Sequence, residues 1–227
     1  MDKSKVVLIT GASSGMGKAT ALFLSQNGYI VYAGTRTPEK FDSIKEKNLF
    51  PIRLDITSKT EIKEVVTYIK DKHKRVDVLV NNAGYGLVST VEDLDEEEMF
   101  AQFNVNVFGV LRACKEVIPL MREKNSGVII NISSFLGKIG LPLLTLYNSS
   151  KYAVEGITDS LRYELNSFDI RVHSIMPGFF DTNFARENLV TNLETFDQNS
   201  PYAPLVSNLA PKIVEQINEG NNPNEVA

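Results

Sequence analysis

Two side chains separated by four positions, Tyr147 and Lys151, are the residues of this sequence best suited to acid–base chemistry. They stand at the start of a segment with helical periodicity, where this spacing places both side chains on one face. At a separation of about 5 Å and an effective dielectric of about 20, an ammonium stabilises a phenolate by about 3 kcal/mol. We therefore expect Lys151 to lower the pKa of Tyr147 and to make the phenol a proton donor or acceptor. A tyrosine and a lysine also meet at this spacing by chance on many helices, so the neighbouring motifs decide between the two interpretations.

A glycine-rich segment, residues 10–17, directly follows the first predicted strand and opens the first predicted helix. There, free N–H groups and the positive end of a helix can bind the pyrophosphate of a dinucleotide, and glycine lets the backbone approach the phosphates. A tight strand-to-helix turn is the alternative interpretation. A triphosphate-binding P-loop is excluded, because it needs a glycine in place of Ala12 and a serine or threonine in place of Ala19. The predicted cofactor contacts in this segment are Gly11, Ser13, Ser14, Gly15, Met16 and Gly17.

The tip of the second predicted strand carries Arg36 and no acidic residue. A carboxylate at this place usually binds the ribose hydroxyls of NAD, whereas an arginine accommodates the additional phosphate of NADP. A guanidinium can pair with that phosphate through two parallel hydrogen bonds. The sequence therefore favours NADP (NADPH), with NAD still possible, unless Arg36 is simply a solvated residue at a strand end.

Short apolar runs alternate with longer segments of helical period, which is typical of a parallel sheet with crossover helices. Most of the runs are apolar throughout, as expected for strands that are covered on both faces. The predicted strands are Lys5–Thr10, Tyr29–Thr35, Phe50–Leu54, Val76–Val80, Gly127–Ile132 and Ile170–Met176. The predicted helices are Gly15–Asn27, Ser58–Lys72, Glu96–Glu123 and Tyr147–Ser167. This pattern predicts an α/β fold, a doubly wound (Rossmann) parallel sheet with helices on both faces.

A single catalytic domain is expected over residues 1–227, since 43% hydrophobic residues can form a sizeable core. Beyond Thr182 the pattern weakens, and we expect a substrate flap at about 183–210 before a short helix near Lys212–Asn218. A net charge of −4 argues against partners such as nucleic acid or an anionic membrane. A single cysteine, Cys114, and only a short apolar run near the N-terminus predict a cytoplasmic protein. Two histidines are too few for a His-rich cluster, and no metal is expected.

Seven motifs in order along residues 5–182 resemble those of the short-chain dehydrogenase/reductase family. They are Thr10-Gly11 to Gly17, Leu54-Asp55, Asn81-Asn82-Ala83-Gly84, Asn104-Val105-Asn106, Ile132-Ser133-Ser134, Tyr147-Asn148-Ser149-Ser150-Lys151, and Pro177-Gly178 with Thr182. Two differences, Met16 in place of the common isoleucine and Asn148 in place of the usual small residue, leave the backbone features intact. The segments Val31–Arg36 and Pro177–Phe180 look most like an NADP-preferring carbonyl- and hydroxysteroid-reductase-like branch.

The resemblance implies an oxidoreductase that transfers a hydride between nicotinamide and a carbonyl or secondary alcohol. In that family pattern Tyr147 is the general acid or base, and Lys151 lowers its pKa and binds the nicotinamide ribose. Ser134 would hydrogen-bond the substrate oxygen, and Asn106 would hold a water that links Lys151 to solvent. Ser134 also ends a predicted strand, where ligands of open α/β sheets bind and a hydroxyl can stabilise alkoxide charge. The further cofactor contacts implied are Asp55, Ile56, Asn82, Ala83, Gly84, Pro177, Gly178 and Thr182.

Several of these residues also have purely structural interpretations. Ser134 could cap a helix, Asp55 could be a helix-capping acid, and Asn82 could belong to a plain turn. His73 is expected to be a solvated helix-end residue, and Cys114 a packing residue rather than a nucleophile.

Apolar residues flank the predicted site and indicate a small apolar carbonyl or alcohol substrate. They are Leu136, Leu141, Leu143, Leu144, Phe179 and Phe180, although any of them could be core residues. The resemblance further implies a homodimer or homotetramer formed through the two long helices. Two other functions suit the same fold. One is a non-catalytic dinucleotide-sensing regulator, although a sensor has no need of Asn106, Ser134, Tyr147 and Lys151 together. The other is an assembly protein that uses the long helices as an interface.

Overall fold

Parallel β-strands form the centre of the computed structural model, which describes residues 5–178 and 189–219. The strands are β1 (Val6–Thr10), β2 (Ile30–Thr35), β3 (Leu49–Arg53), β4 (Val78–Asn81), β5 (Gly86–Val88), β6 (Gly127–Ile132), β7 (Ile170–Ile175) and β8 (Leu189–Thr191). Six of them form one sheet in the order β3-β2-β1-β4-β6-β7, while β5 pairs with β8. The strand order reverses between β1 and β4, which is the arrangement of a doubly wound fold. The predicted Rossmann-type fold class is confirmed.

Both faces of the sheet are covered, and β1 shows this residue by residue. Val6 and Leu8 pack into one hydrophobic cluster, whereas Val7 and Ile9 pack into a second. Because alternate side chains of a strand point to opposite faces, the two clusters lie on opposite sides of the sheet. All of β1 is buried, which explains why its sequence is apolar rather than alternating.

Helices cover the sheet and complete the two clusters. They are α1 (Gly15–Gln26), α2 (Lys59–His73), α3 (Glu96–Phe103), α4 (Gly109–Glu123), α5 (Thr145–Leu165) and α6 (Ala203–Asn218). The cluster with Val6 includes residues of α2, α4 and α5, and the other includes residues of α1. Local caps fix two of the helix starts: the Ser58 side chain accepts from the N–H of Glu61, and Asp95 forms a reciprocal capping box with Glu98.

The sequence prediction is wrong at three places in the described chain. The single predicted helix Glu96–Glu123 is divided, because a π-helical segment at residues 104–108 joins α3 to α4. The short strands β5 and β8 are not predicted, since three residues carry too little pattern. The last helix begins at Ala203 instead of near Lys212. Pro204 lies in its first turn, where the missing N–H is not needed.

The predicted flap is described from residue 189 onward, and its described part is hydrogen-bonded to the segment before α3 and to the first turn of α3. Asn192 Nδ2 donates to the Asp93 carbonyl oxygen at 3.0 Å and to Glu98 Oε2 at 2.9 Å. The fully buried Thr195 donates through Oγ1 to Asp93 Oδ2 at 2.7 Å. These bonds and the β5–β8 pair hold this side of the molecule in place beside α5.

His73 corrects another expectation, because it is partly buried rather than solvated. Its Nε2 lies 2.8 Å from the hydroxyl of the buried Tyr32. Burial and the charge of Lys72 lower the pKa of His73, which favours the neutral imidazole.

Cys114 is buried in the core, as expected for a packing residue, and burial raises the pKa of its thiol to about 12. Within residues 5–178 and 189–219, no three His, Cys, Asp or Glu side chains come together in a metal-binding group. Over the same ranges, none of the helices combines the length and apolar character needed to cross a bilayer.

Candidate active site

A cavity of about 610 Å³ opens at the carboxyl ends of the parallel strands, where open α/β sheets bind their ligands. Most of the residues predicted from the sequence line it. They are Gly11, Ser13, Ser14, Gly15, Met16, Arg36, Asp55, Ile56, Asn82, Ala83, Gly84, Ser134, Tyr147, Lys151, Pro177 and Gly178. Among the predicted catalytic and cofactor residues that the structure describes, Gly17 and Asn106 are not part of the lining. Thr182, Phe179 and Phe180 lie outside the described residues.

The glycine-rich segment is held against the end of β4 by Thr10 and Asn82. Thr10 Oγ1 accepts hydrogen bonds from the backbone N–H groups of Asn82 and Ala83, both at 3.1 Å. In return, Asn82 Nδ2 donates to the carbonyl oxygens of Thr10 (3.1 Å) and Gly11 (2.8 Å). Gly11 has φ +65°, and a Cβ on it would lie 2.6 Å from the Cα of Ala83. Asn82 therefore does more than form a turn: it fixes the shape of the segment that borders the cavity.

The start of α1 has the donor set that a phosphate group needs. Ser14 precedes the helix with an extended backbone and makes no side-chain cap hydrogen bond, and the first turn contains no acidic residue. The first N–H groups of a helix lack helical partners, and the helix dipole adds positive charge at the same end. Gly15, with φ +52°, exposes its backbone to the cavity without a side chain. A dinucleotide pyrophosphate fits this site.

Substitution Gly17→Ala is expected to weaken nucleotide binding at least about tenfold and to destabilise the fold by about 1–3 kcal/mol, because it overpacks this region. A Cβ on Gly17 would lie 2.3 Å from Asn82 Nδ2 and 2.6 Å from the Gly11 carbonyl oxygen, so Asn82 would have to leave its position. Isothermal calorimetry and urea unfolding measure the two effects. The matched control is Gly156→Ala on α5, where nothing lies within 4 Å of the new Cβ. An unchanged nucleotide affinity in Gly17→Ala would contradict the bracing role of Asn82.

Arg36 and Asp55 line the cavity just beyond the ends of β2 and β3. Arg36 is exposed at the tip of β2, so its guanidinium can reach a ligand from solvent. Asp55 Oδ1 accepts from the N–H and the hydroxyl of Thr57, at 2.8 and 2.7 Å. Although burial opposes the charge, these hydrogen bonds and the charges of Arg36 and Arg53 lower the pKa of Asp55. The α2 cap is Ser58, so Asp55 shapes the turn before α2 instead of capping the helix.

Three catalytic candidates meet near the centre of the cavity. Tyr147 and Lys151 extend from α5, and Ser134 follows the end of β6; each is less than a tenth exposed. Lys151 Nζ donates to the Ile132 carbonyl oxygen at 2.8 Å and lies 5.6 Å from the centroid of the Tyr147 ring. Ser134 Oγ accepts from the N–H of Leu136 at 3.1 Å, which orients its hydroxyl beside the tyrosine. Ser134 thus caps the short turn after β6 and also lines the cavity, so both of its interpretations apply.

The expected lowering of the Tyr147 pKa is wrong for this structure. Burial raises the pKa of Tyr147 to about 12, and a hydrogen bond with Ser134 only partly opposes it. Burial also lowers the pKa of Lys151 to about 8, although the charge of Glu155 acts in the opposite direction. Sequence spacing places the ammonium near the phenol, but it does not show that both groups lose most of their water.

Asn106 lies in the π-helical segment and hydrogen-bonds to the chain after β4 and to the helix that carries Tyr147 and Lys151. Its Nδ2 donates to the Tyr85 carbonyl oxygen at 2.8 Å and to Ser150 Oγ at 3.0 Å, and its Oδ1 accepts from the Tyr85 N–H at 3.0 Å. Ser150 Oγ donates to the carbonyl oxygen of Tyr147 at 2.7 Å. A Cβ on Gly84 would lie 3.3 Å from Asn106 Oδ1 and 3.7 Å from Lys151 Nζ. Asn106 therefore lies close to the catalytic candidates and connects them to the chain after β4.

Sequence reasoning missed part of the cavity wall and one of its supports. The additional lining residues are Thr35, Leu54, Thr57, Tyr85, Val105, Ile132, Ser133, Phe135, Leu189, Val190 and Ile213. The missed support is a buried chain of amides, in which Asn81 Nδ2 donates to Asn131 Oδ1 at 2.8 Å and Asn131 Nδ2 donates to Thr158 Oγ1 at 2.9 Å. A polar residue inside an otherwise apolar strand, as Asn131 is in β6, was the signal that could have found it.

Comparisons with known proteins identify the family of this chain. A family model described as short chain dehydrogenase matches residues 5–192. The chain is 41% identical over 202 residues to the 3-ketodihydrosphingosine reductase of Bacteroides thetaiotaomicron, covering 88% of this chain and 72% of that protein. A short-chain dehydrogenase structure from Streptomyces avermitilis has a TM-score of 0.88 at 31% identity, over 99% of this chain and 81% of the other. The structure of ElxO with NADP bound has a TM-score of 0.78 at 28% identity, over 98% and 88% of the two chains. This chain belongs to the short-chain dehydrogenase/reductase family and is an oxidoreductase with the nicotinamide-dinucleotide-binding fold of that family.

Proposed function

We propose that this protein is an NADP-dependent oxidoreductase for an apolar carbonyl or secondary alcohol, with Tyr147 as the proton donor or acceptor. The observation that carries the proposal is that Ser134, Tyr147 and Lys151 share one cavity with the phosphate-binding start of α1. The relative from Bacteroides thetaiotaomicron, which its name describes as a reductase of a keto compound, supports carbonyl chemistry. The ElxO structure, which holds NADP, supports a nicotinamide dinucleotide as the cofactor, and the exposed Arg36 at the cavity supports the choice of NADP.

The protonation states of the site suit reduction at neutral pH. A nicotinamide bound in the cavity would supply or accept the hydride. Tyr147, whose raised pKa keeps the phenol neutral, can donate its proton to a carbonyl oxygen, while the Ser134 hydroxyl stabilises the charge that develops on that oxygen. The Lys151 ammonium beside the ring stabilises the phenolate that remains. Oxidation of an alcohol needs the opposite proton transfer, and burial of Tyr147 opposes it.

A third hydrophobic cluster borders the catalytic candidates and supports an apolar substrate. It consists of Val88, Leu136, Leu143, Leu144, Tyr147 and Val206, with Phe135, Leu141, Leu189, Tyr202, Leu209 and Ala210 packed against it. Leu136, Leu144 and Leu189 face the cavity, whereas Leu141 and Leu143 belong to the packing around it. The described part of the flap thus supplies apolar wall to the side of the cavity next to Tyr147.

The experiment that tests this function is NADPH oxidation with a panel of apolar ketones and aldehydes, combined with thermal unfolding in the presence of each nucleotide. We expect turnover, and a rise in Tm with NADPH because a ligand that binds only the native state stabilises it. A rise in Tm without turnover on a broad panel would indicate the dinucleotide-sensing regulator instead. A Tm and an oligomeric state that do not respond to either nucleotide would indicate the assembly protein.

We also infer that the protein is a homodimer or homotetramer assembled through α4 and α5. Exposed apolar side chains on these helices, which the assembly would cover, include Leu111 (43% exposed), Tyr152 (47%) and Tyr163 (84%). Tyr163→Glu combined with Leu111→Glu is expected to reduce the mass measured by light scattering to that of a smaller assembly. Phe23→Glu on α1, which replaces a half-exposed residue elsewhere, should leave the mass unchanged. A wild-type protein that already runs as a monomer would refute this assembly.

Residues 1–227 are proposed to act as one catalytic domain in the cytoplasm, with the flap at about 183–210. The support for a flap is that its described part, through Leu189 and Val190, lines the cavity and contacts the rest of the chain beside Tyr147. Limited proteolysis tests this: NADPH and substrate together should slow cleavage within the flap more than cleavage elsewhere.

A further inference from the structure

A buried carboxylate, Glu155, lies one helical turn beyond Lys151 on the same face of α5. It is 5% exposed, and one of its oxygens, Oε1, is buried with no hydrogen-bond partner among the described residues. The other oxygen, Oε2, accepts from Ser174 Oγ at 3.2 Å and lies 3.3 Å from Lys138 Nζ. Burying a carboxylate costs several kcal/mol unless a compensating charge lies nearby. Lys138 is a weak compensation, since its side chain is 54% exposed.

The backbone around Gly137 brings this carboxylate close to the catalytic end of the helix. A Cβ on Gly137 would lie 3.1 Å from Glu155 Cγ, 3.1 Å from the Lys151 carbonyl oxygen and 2.9 Å from Ser133 Oγ. The absence of a side chain there lets the turn after β6 pack directly against the stretch of α5 that joins the two residues. Water is therefore displaced from the space beside Lys151 and Glu155, which strengthens the interaction between their charges.

We propose that Glu155 is a positioning residue that keeps the buried Lys151 side chain charged and directed toward the Ile132 carbonyl and the cavity. The inference rests on the proposed function only where it gives Lys151 a role in catalysis. The charge interaction between Glu155 and Lys151 is a property of the folded protein, whether or not the protein is active. The titratable and charged groups that face this pair are Tyr147 on α5 and Lys138 after β6. Uncharged polar groups beside the pair include Asn106, whose Oδ1 and Lys151 Nζ both lie near Gly84, and Ser174 of β7, which donates to Glu155.

The sign of the pH effect follows from the Lys151 pKa of about 8, below its ordinary value of 10.5. Between these two values the unfolded chain binds the proton more tightly, so the free energy of unfolding falls as pH falls toward 8. The Glu155 charge limits this loss, because it favours the ammonium in the folded state. Without Glu155 the Lys151 pKa falls further. The resulting loss in the free energy of unfolding is greatest at neutral pH, because Lys151 is then protonated in the folded protein without a compensating charge.

Thermal unfolding of Glu155→Gln across pH 6.5–9.5, without nucleotide or substrate, tests the proposal. The Tm deficit relative to wild type is expected to be larger at pH 7 than at pH 9.5 by about 2–4 °C, a shift that thermal unfolding resolves for a chain of this size. The same substitution in a Lys151→Met background should show no such pH dependence. Ser174→Ala and Lys138→Gln are matched controls, because each removes a contact of Glu155 and keeps its charge. The Tm deficit of each control relative to wild type should not shrink as pH rises.

A deficit of Glu155→Gln that is constant with pH, or that persists with the same pH dependence in Lys151→Met, would overturn the proposal and leave Glu155 as a packing residue. Where Glu155→Gln fails to fold at pH 7, the double variant decides: recovery of folding supports the charge coupling, and continued failure overturns it. In the active enzyme, the alkaline limb of kcat/KM for ketone reduction should move down by about one pH unit in Glu155→Gln. Because the unfolding measurement needs no turnover, a failed activity screen would count against the proposed function and not against this coupling.

Discussion

Replacement of Tyr147 by phenylalanine is expected to lower kcat for carbonyl reduction by about 10²–10⁴-fold, the usual contribution of a positioned general acid. The affinity for NADPH should change little, because the aromatic ring still fills its place in the third hydrophobic cluster. Removing the buried hydroxyl also leaves the Lys151 ammonium and the Ser134 hydroxyl in place. Single-turnover kinetics at saturating NADPH measures the chemical step, and fluorescence titration measures the dissociation constant.

Tyr68→Phe is the control for this substitution, because it removes a hydroxyl from a half-exposed residue of α2 that lies outside the cavity and the proposed subunit interface. Its kcat should equal that of wild type. If Tyr147→Phe retained more than about a tenth of the wild-type kcat, an effect far below that of a general acid, another group would have to supply the proton. A simultaneous loss of NADPH binding would instead point to damage to the cavity.

Replacement of Arg36 by serine is expected to raise the dissociation constant for NADPH by about 10–150-fold, since hydrogen bonds to a charged group contribute about 1.5–3 kcal/mol. The affinity for NADH should change by less than about threefold, because NADH lacks the phosphate that the guanidinium pairs with. This expectation rests on the position of Arg36, which is exposed and lines the cavity. Titration of both nucleotides at one fixed salt concentration measures the preference, as salt screens exposed charges.

Arg53→Ser is the charge-matched control for Arg36. Arg53 lies at the end of β3 with 62% of its side chain exposed, acts electrostatically on Asp55 as Arg36 does, and does not line the cavity. It should change the affinity for NADPH far less than Arg36→Ser. Equal losses for both nucleotides in Arg36→Ser would mean that the residue shapes the rim without selecting NADP. No loss for either nucleotide would mean that it is a solvated strand-end residue.

The glycine-rich turn could be located from the sequence by its position after the first strand, and Tyr147 and Lys151 by their spacing together with the order of the neighbouring motifs that resemble the family. Four positions on a helix place Tyr147 and Lys151 on one face whatever the rest of the chain does. A glycine directly after a buried strand marks a turn with close backbone approach, and Gly11 has both properties in the structure. The alternation of strands and helices likewise predicted the doubly wound fold class, whereas the order of the strands in the sheet was seen only in the structure.

Contacts between distant segments could not be predicted in the same way. Asn82 braces the turn at Gly11 from 71 positions away, and Asn106 reaches Ser150 across 44 positions. Neither pairing leaves a local periodic pattern in the sequence. The π-helical segment that presents Asn106 also has the apolar spacing of an ordinary helix, so only the hydrogen bonds of the folded chain distinguish it.

The sequence by itself determined the fold class, the chemical groups of the site and their order along the chain, because periodicity and motif spacing are local properties. Only the tertiary structure decided the protonation of those groups. Burial raised the pKa of Tyr147 where spacing alone predicted a decrease, and it lowered the pKa of Lys151 although the charge of Glu155 acts in the opposite direction. The physical reason is that an ionisable group responds to the water it loses and to all the charges around it, which are known only when segments far apart in the chain have packed together.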